Sequence, residues 1–571
     1  MQQLSVENYL VHHYPSVDHF PHMAKKLLFS SVKKLFHENQ INTFLQENEH
    51  KDSFSFVEAV VNYFDIGIKI DTQEMDRVPS YGRVVIIANH PLGALDAIAM
   101  IHLLKDIRKD IKIVANAFLG QFENLQELVI PVDNITGKTT KKTLESINHA
   151  LANEEAVIIF PSGEVSRARP NGIRDTAWKS GFYKIAFKAQ APILPIYMQA
   201  QNSKSFYLLS MLNSAIATAT LPHEMFKAKG KKIEFTIGNP IPYKSYSMPN
   251  LSQKEAVKLL RKHFYRVARG KQNLFQVEEG IALAQVPSEI KATLKNAKLL
   301  GETNDGKKIL LYESEIENCV LNEIGRLREI SFRHVGEGSG EKRDIDGYDL
   351  YYKHLIIWDD EALEIAGAYR IGDCQEIIND FSIEGLYTST LFKYDEGFVP
   401  YFERGLELGR SFVQPKYWNS KALDYLWQGI GAYVRTHPQI RYLFGPVSLS
   451  DSFTPQAKAM LIYFYTYYFR AQNHWVKHKA RYKLPKEMKH YCQEIFRGEY
   501  REDQRILKEE LSYMGFTIPT LYKQYGELCE KGGVQFMDFG YDKHFHYCID
   551  GFILVDLDRM KTSKRKRYLG E

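Results

Sequence analysis

An imidazole and a carboxylate stand six positions apart in Asn89-His90-Pro-Leu-Gly-Ala-Leu-Asp96. A histidine can take the proton of an alcohol as that alcohol attacks a thioester. A carboxylate on its other ring nitrogen fixes the tautomer and stabilises the imidazolium. The nucleophile in such an arrangement belongs to the substrate, so His90 and Asp96 are the candidate catalytic pair and Asn89 beside them a candidate substrate contact. A second run, Phe160-Pro-Ser-Gly-Glu-Val-Ser-Arg167, supplies Gly163, which lets backbone approach a ligand closely. In the same run Glu164, Ser166 and Arg167 offer a grip on an anion or a hydroxyl. Ala191-Pro-Ile-Leu-Pro195-Ile is apolar and bounded by prolines, as the wall of an acyl groove would be.

The second half carries a series of charged residues: Arg328, then Asp346-Gly-Tyr-Asp349, Arg370 and Glu407-Leu-Gly-Arg410, with Phe332 among them. Buried carboxylate–arginine pairs on neighbouring strands can shape a pocket and orient an amine.

These residues need strands that end where the chemistry begins. The segments 83–90, 111–116, 127–133, 156–163 and 191–197 are continuous apolar runs, with helical stretches such as 139–152 and 97–104 between them. Apolar strands alternating with helices predict a sheet covered on both faces, with its site at the strand ends. A last strand is expected around 233–243, and Ser252-Gln-Lys-Glu255 opens a helix with a capping box. In the second half, strands are expected at 354–358, 364–372, 405–413 and 441–449, with a helix over 420–434. The division predicted is a helical region 1–75, a catalytic α/β domain 76–270, a connector 271–306 and a second α/β domain 307–571 that ends in a basic tail.

Two segments read as membrane-facing. Residues 22–37 form a basic amphipathic helix with Leu27, Leu28, Val32, Leu35 and Phe36 on one face, suited to a lipid interface or to packing on its own domain. Residues 206–221 carry no charge and precede Lys227, Lys229, Lys231 and Lys232. That combination fits either a docking patch or a buried core helix.

The chain has 571 residues, 44% hydrophobic and 25% charged, with a formal net charge of +5. The size calls for two or more domains, and the weak positive balance without a recognition motif argues against a nucleic-acid partner. The five cysteines lie in the second half without a CxxC pair, as reduced thiols do and a zinc site does not. There is no apolar stretch of about 18 residues and no signal-like N-terminus. The expectation is a cytoplasmic protein, peripheral on the inner face of the cytoplasmic membrane, with no metal and no bound cofactor.

NHPLGALD, FPSGEVSR and APILPI, in this order across roughly residues 75–245, resemble the glycerolipid acyltransferase family of the lysophosphatidic-acid type. The resemblance implies that family's α/β fold for the first domain, with His90 and Asp96 catalytic and Asn89, Gly163, Glu164 and Arg167 around the substrate. Three departures matter. Five residues rather than four separate His90 from Asp96, Ser162 stands where the family has glutamate, and Val129–Asn134 lacks the arginine that meets a glycerol phosphate. They are similar to the haemolysin-like branch, which includes acyltransferases that complete amino-acid-containing lipids.

The charged series of the second half, with ELGRSFVQPKYW, resembles autoinducer synthases and the amino-acid N-acyltransferases of ornithine-lipid synthesis. This implies an acetyltransferase-like α/β fold in which Asp346, Asp349, Arg370, Glu407 and Arg410 position amine and donor. Gln414–Ala422 has no glycine, so it lacks the backbone cradle that grips a pyrophosphate. A donor on acyl carrier protein, met by Lys416, Lys421 and Arg435, needs no such cradle, and acyl-CoA is the other donor. The pair of resemblances implies a bifunctional aminolipid synthase. Its second domain N-acylates an amino acid such as ornithine or glycine with a 3-hydroxy fatty acyl group, and its first O-acylates the resulting hydroxyl. The alternatives are a lysophospholipid O-acyltransferase with a non-catalytic second domain and a non-enzymatic membrane-binding protein.

Overall fold

Val84–Ala88 is buried over its whole length, as a strand covered on both faces must be. The computed structural model describes all residues except 1–4, 8–10, 12–18, 117–118, 133–139, 170–171 and 571. The chain divides into two units, Met1–Leu283 and Ala284–Glu571.

The elements of unit 1 are α1 His22–Leu35, α2 Glu38–Glu47, α3 Ser53–Tyr63, β1 Gly67–Lys69, β2 Val84–Ala88, α4 Ala94–Leu104, β3 Ile111–Asn116, β4 Val129–Val132, α5 Lys141–Ala152 and β5 Ala156–Ile159. There follow β6 Arg167–Arg169, β7 Gly172–Arg174, α6 Gly181–Ala189, β8 Ile193–Gln199, α7 Lys204–Leu212, α8 Ser214–Ala219, α9 Leu221–Lys227, β9 Lys232–Ile237 and α10 Gln253–Val267. Seven strands form one sheet in the order β1-β9-β8-β2-β5-β3-β4. The run from β8 to β4 is parallel, and β9 is antiparallel to β8. Alternation along β2 divides the core. Val84, Ile86 and Ala88 pack with α3 and α4, while Val85 and Ile87 pack with α5, α6 and α10.

The unit 2 elements are β10 Lys298–Glu302, β11 Lys308–Tyr312, α11 Cys319–His334, β12 Lys353–Asp359, β13 Glu364–Asp373, α12 Cys374–Phe381, β14 Phe392–Tyr394, β15 Gly405–Val413, α13 Ala422–Thr436, β16 Tyr442–Leu449, α14 Pro455–Tyr468, β17 Val476–His478, α15 Tyr500–Tyr513, β18 Val534–Asp542, β19 Cys548–Asp556 and α16 Thr562–Tyr568. Its eight-stranded sheet has the order β10-β11-β12-β13-β15-β16-β19-β18. Every neighbouring pair is antiparallel except β15 and β16. Those two are parallel and matched only over Gly405–Glu407 and Tyr442–Phe444. Beyond that point β15 continues against β13 and β16 against β19, so the two strands part.

Some expectations change in detail. The stretch 271–306 is not a free connector. Ile281 and Ala282 accept hydrogen bonds from Ser80 of unit 1, and β10 is an edge strand of the unit 2 sheet. In α1 the buried residue is Phe29, and Leu27 faces solvent. The charge-free run 206–221 is broken at Asn213, between α7 and α8. Asp133 and Asn134 lie outside the described residues. The basic tail forms α16, anchored on α13 through Tyr568 Oη and Arg567, both donating to Asp424.

Candidate active sites

In unit 1, the central strand β2 delivers Asn89 and His90 just past its C-terminal end. The Asn89 amide is paired both ways with the backbone of Met198, donating to its carbonyl at 2.8 Å and accepting from its N–H at 2.7 Å. Expected to meet substrate, Asn89 instead ties the ends of β2 and β8 together. The chain then turns through Gly93, whose φ of +93° is a left-handed conformation that favours glycine. Asp96 is the third residue of α4 and fully buried. Its Oδ2 accepts from Leu92 N at 2.8 Å and Gly93 N at 3.0 Å, and lies 2.9 Å from His90 Nδ1. A carboxylate oxygen so placed requires the proton on Nδ1, which leaves the Nε2 lone pair free to accept one. No described residue hydrogen-bonds Nε2. The ring stacks on Phe160, centroids 4.3 Å apart.

The glycine-bearing loop is tied to the same histidine. Ser166 N donates to His90 O at 2.7 Å. Asp175, which the sequence did not single out, accepts from His90 N at 3.3 Å, Ser166 Oγ at 2.6 Å and Trp178 Nε1 at 3.1 Å. Burial pushes its carboxyl up against those hydrogen bonds. Gly163 takes a φ of +68°. Glu164 is exposed and accepts from Thr176 Oγ1 at 2.8 Å.

Arg167 was expected to grip substrate. It is buried and donates to Ser210 Oγ at 3.1 Å and Thr218 Oγ1 at 2.9 Å, with its guanidinium over Phe206. It anchors α7 and α8 to the loop. Phe206 and Tyr207 of α7 pack on Val165, while Leu208, Met211 and Leu212 on the same helix are 65%, 68% and 86% exposed. An apolar pocket of about 90 Å³ opens against Ala94, Leu95 and Ile98 of α4, closed by Phe44, Phe122 and Phe226.

In unit 2, six side chains singled out from the sequence come together. Arg370 Nη1 donates to Asp346 Oδ1 at 2.5 Å and Asp349 Oδ1 at 3.2 Å. Arg328 Nη1 reaches Asp349 Oδ1 at 2.7 Å. Against the cost of burial, Arg328 and Arg370 hold Asp349 well below the usual carboxylate range. Arg410, at a left-handed φ of 50° where β15 is irregular, lies 3.1 Å from Asp344 and 3.6 Å from Asp346 and donates to Tyr387 Oη at 3.0 Å. Glu407 accepts from Tyr352 Oη and, at 2.6 Å, from Thr388 N; burial pushes its carboxyl up. Tyr348, Tyr352 and Tyr387 ring Arg370, whose Nη2 has no partner among the described residues. The tyrosines and Asp344 escaped the sequence reading. All this lies where β15 parts from β16.

Residues 9–272 match the family model described as an acyltransferase, and residues 327–428 match that of the acetyltransferase (GNAT) domain. A glycine N(alpha)-acyltransferase of Phocaeicola vulgatus is 33% identical over 261 residues, 43% of this chain and 80% of that protein. A lyso-glycine lipid O-acyltransferase of Bacteroides thetaiotaomicron is 31% identical over 228 residues, 39% of this chain and 83% of that protein. An L-ornithine N(alpha)-acyltransferase of Brucella abortus is 31% identical over 214 residues, 31% of this chain and 74% of that protein. Fold, sites and relatives define the class: an acyltransferase that joins an α/β acyltransferase unit to a GNAT-like unit. Within that class the chain belongs to the aminolipid acyltransferase family, with the two-domain architecture of its bifunctional synthases.

Proposed function

We propose that unit 2 transfers a 3-hydroxyacyl group from acyl carrier protein to the amine of glycine, and that unit 1 esterifies the hydroxyl of the product with a second acyl chain. The observation that carries the second step is His90, its Nδ1–H fixed by Asp96 and its Nε2 open. The substrate hydroxyl gives its proton to Nε2, its oxygen attacks the thioester carbonyl, and the imidazolium returns the proton to the leaving thiolate. The apolar pocket against α4 takes part of an acyl chain.

Glycine is supported by the relatives of both kinds that carry it in their names and match over 80% and 83% of their lengths. The gap between β15 and β16, bordered by Glu407 and Arg410, receives the donor thioester. Lys421 is exposed at the head of α13, available to an acidic carrier, while Lys416 is paired with Glu364 and Arg435 with Tyr568 O. No described helix is long and apolar enough to cross a membrane. The exposed leucines and methionine of α7, beside the loop that holds His90, seat unit 1 on the lipid surface where its substrate resides.

Lipid mass spectrometry on a host lacking aminolipids tests the reading. Wild type is expected to yield a diacylated glycine lipid, His90→Ala to stall at the mono-N-acyl species, and Glu407→Ala to make neither. Phosphatidic acid formation that needs His90, with no amino-acid lipid, would overturn it.

A further inference from the structure

Unit 2 holds another charged group besides the arginine–aspartate series. Asp542 on β18, Asp550 on β19 and Glu337 just past α11 are all buried. Ser448 Oγ donates to Glu337 at 3.0 Å and His544 N to Asp542 at 2.8 Å. Asp550, only 5% exposed, is met by the weak Cys548 thiol at 3.8 Å. In the arginine series Asp344, Asp346 and Asp349 stand against Arg328, Arg370 and Arg410. The Asp550 group adds three buried carboxyls, and Arg410 acts on Asp550 from across the site.

A second, independent observation lies beside it. Asp550 is the ladder partner of Ser448 on β16 and of Gly540 on β18, and ladder partners project from the same face of a sheet. Gly540 has no side chain because His478 of β17 occupies that space; a Cβ there would lie 2.0 Å from His478 Nδ1. His478 is 3% exposed. Its Nδ1 accepts from Ala480 N at 2.9 Å, which places the ring proton on Nε2. That Nε2–H has no partner among the described residues. On one face of the sheet, a buried carboxyl met by one weak donor and a buried donor without a described acceptor thus stand on either side of Gly540. Buried polar groups are ordinarily paired, and a zwitterion supplies both partners at once. Ser448 lies on the part of β16 that has left β15, so the face borders the gap.

We propose that Asp550 receives the ammonium of the amino-acid acceptor and takes its proton, with Asp542 and Glu337 completing the ammonium subsite and His478 Nε2–H donating to the acceptor's carboxylate. This rests on the reading of unit 2 as an N-acyltransferase. Burial, Asp542 and Glu337 push the Asp550 carboxyl well above its ordinary range, which brings its basicity toward that of an amine. The ammonium gives one proton to Asp550, and the freed nitrogen lone pair attacks the thioester carbonyl carbon. The adduct collapses with cleavage of the C–S bond, and the thiolate leaves with the second nitrogen proton. The amide remains, and Asp550 returns its proton to solvent.

The test uses the full-length enzyme, a 3-hydroxyacyl-carrier donor, and glycine or aminooxyacetate as acceptor. The aminooxy nitrogen is unprotonated at neutral pH and needs no base. Asp550→Asn is expected to lower kcat/KM for glycine by about 10²-fold or more, with the loss shrinking as pH rises and free amine accumulates. With aminooxyacetate the loss should stay below about tenfold, which also shows that the variant is folded. His478→Phe, which keeps the ring and removes the donor, should raise KM for glycine and leave the pH profile in place. The profile is read against the groups whose charge couples to Asp550, namely Asp542, Glu337, Cys548, Arg410, Tyr387 and Tyr522, and against His478 across Gly540. Equal losses with both acceptors, or wild-type glycine kinetics in Asp550→Asn, would overturn the assignment. A wild type that acylates neither acceptor removes the N-acyltransferase reading and this subsite with it.

Discussion

Asp96 does more than neutralise a histidine. One of its oxygens accepts from two backbone N–H groups and faces His90 Nδ1, so its position is set by the helix start before the imidazole arrives. Asp96→Asn would offer an amide where three donors converge and let the histidine take the wrong tautomer. The expected outcome is a loss of O-acyl transfer to a synthetic N-(3-hydroxyacyl)glycine of about 10²–10⁴-fold, with N-acylation of glycine unchanged in the same preparation. A loss in both activities would indicate misfolding rather than tautomer control. This pair was legible in the sequence because one turn joins its members. Asp175 was not, since its contact with His90 spans 85 residues and an aspartate after the short strand β7 carries no periodic or motif signal. Asn89 and Arg167 show the converse. Their types and places in the motifs fit ligand contacts, but burial leaves the Asn89 amide engaged with backbone and the Arg167 Nη1 and Nη2 with helix hydroxyls.

At the scale of elements, α7 has two faces with different duties, Phe206 and Tyr207 inward on Val165 and Leu208, Met211 and Leu212 outward. Replacing the three outward residues by serine leaves the core contacts in place. Sinking a leucine fully is worth about 1.5–3 kcal/mol. Partial insertion of all three, together about 2 kcal/mol, corresponds to about thirty-fold in vesicle partitioning, and co-sedimentation with anionic vesicles measures it. Unchanged binding would remove α7 from the membrane surface.

On β12, His354 donates through Nε2 to Asp349 O at 3.0 Å and faces Arg328 through Nδ1. Burial first and Arg328 second push it down to about 4 from 6.5. Its folded pKa is depressed, so the unfolded chain binds the proton first. The stability it contributes is present above pH about 6.5 and falls as pH drops toward 4, by up to about 3 kcal/mol. Amide-exchange protection of β12 should fall over that window, and His354→Gln should flatten the fall. Strands β2–β5, β8, β9, β12, β13, β15 and β16 were legible because apolar runs and turn signals coincide, whereas β1 lies in a stretch read as helical and β10 and β11 in or beside one read as a connector. Strands β18 and β19 were not, because Asp538, Gly540, Asp542, Asp550 and Gly551 interrupt their hydrophobic pattern. The Asp550 group that breaks the pattern is the same one that gives this end of the sheet its chemistry.

At the scale of the whole molecule, each unit has its own sheet and its own core. The named residues of each site come from one unit: His90, Asp96 and Asp175 lie before Leu283, and Asp346, Arg370, Glu407 and Arg410 after it. The intermediate that passes between the proposed reactions carries one long acyl chain and a carboxylate, so it partitions into a bilayer rather than staying in water. Two independent sites and a membrane-soluble intermediate predict complementation between separate molecules. Full-length His90→Ala, which makes only the mono-N-acyl species, mixed on vesicles with full-length Glu407→Ala, which retains the esterifying site, should restore the diacylated lipid. Its rate should rise as vesicle area per enzyme falls, because the intermediate is then more concentrated at the surface. Diluting the mixture into excess vesicles should abolish complementation while leaving the wild type's first step intact. If the mixture makes no diacyl lipid at any vesicle concentration, although each variant retains its own half-reaction, the intermediate does not leave the chain that made it, and transfer is intramolecular.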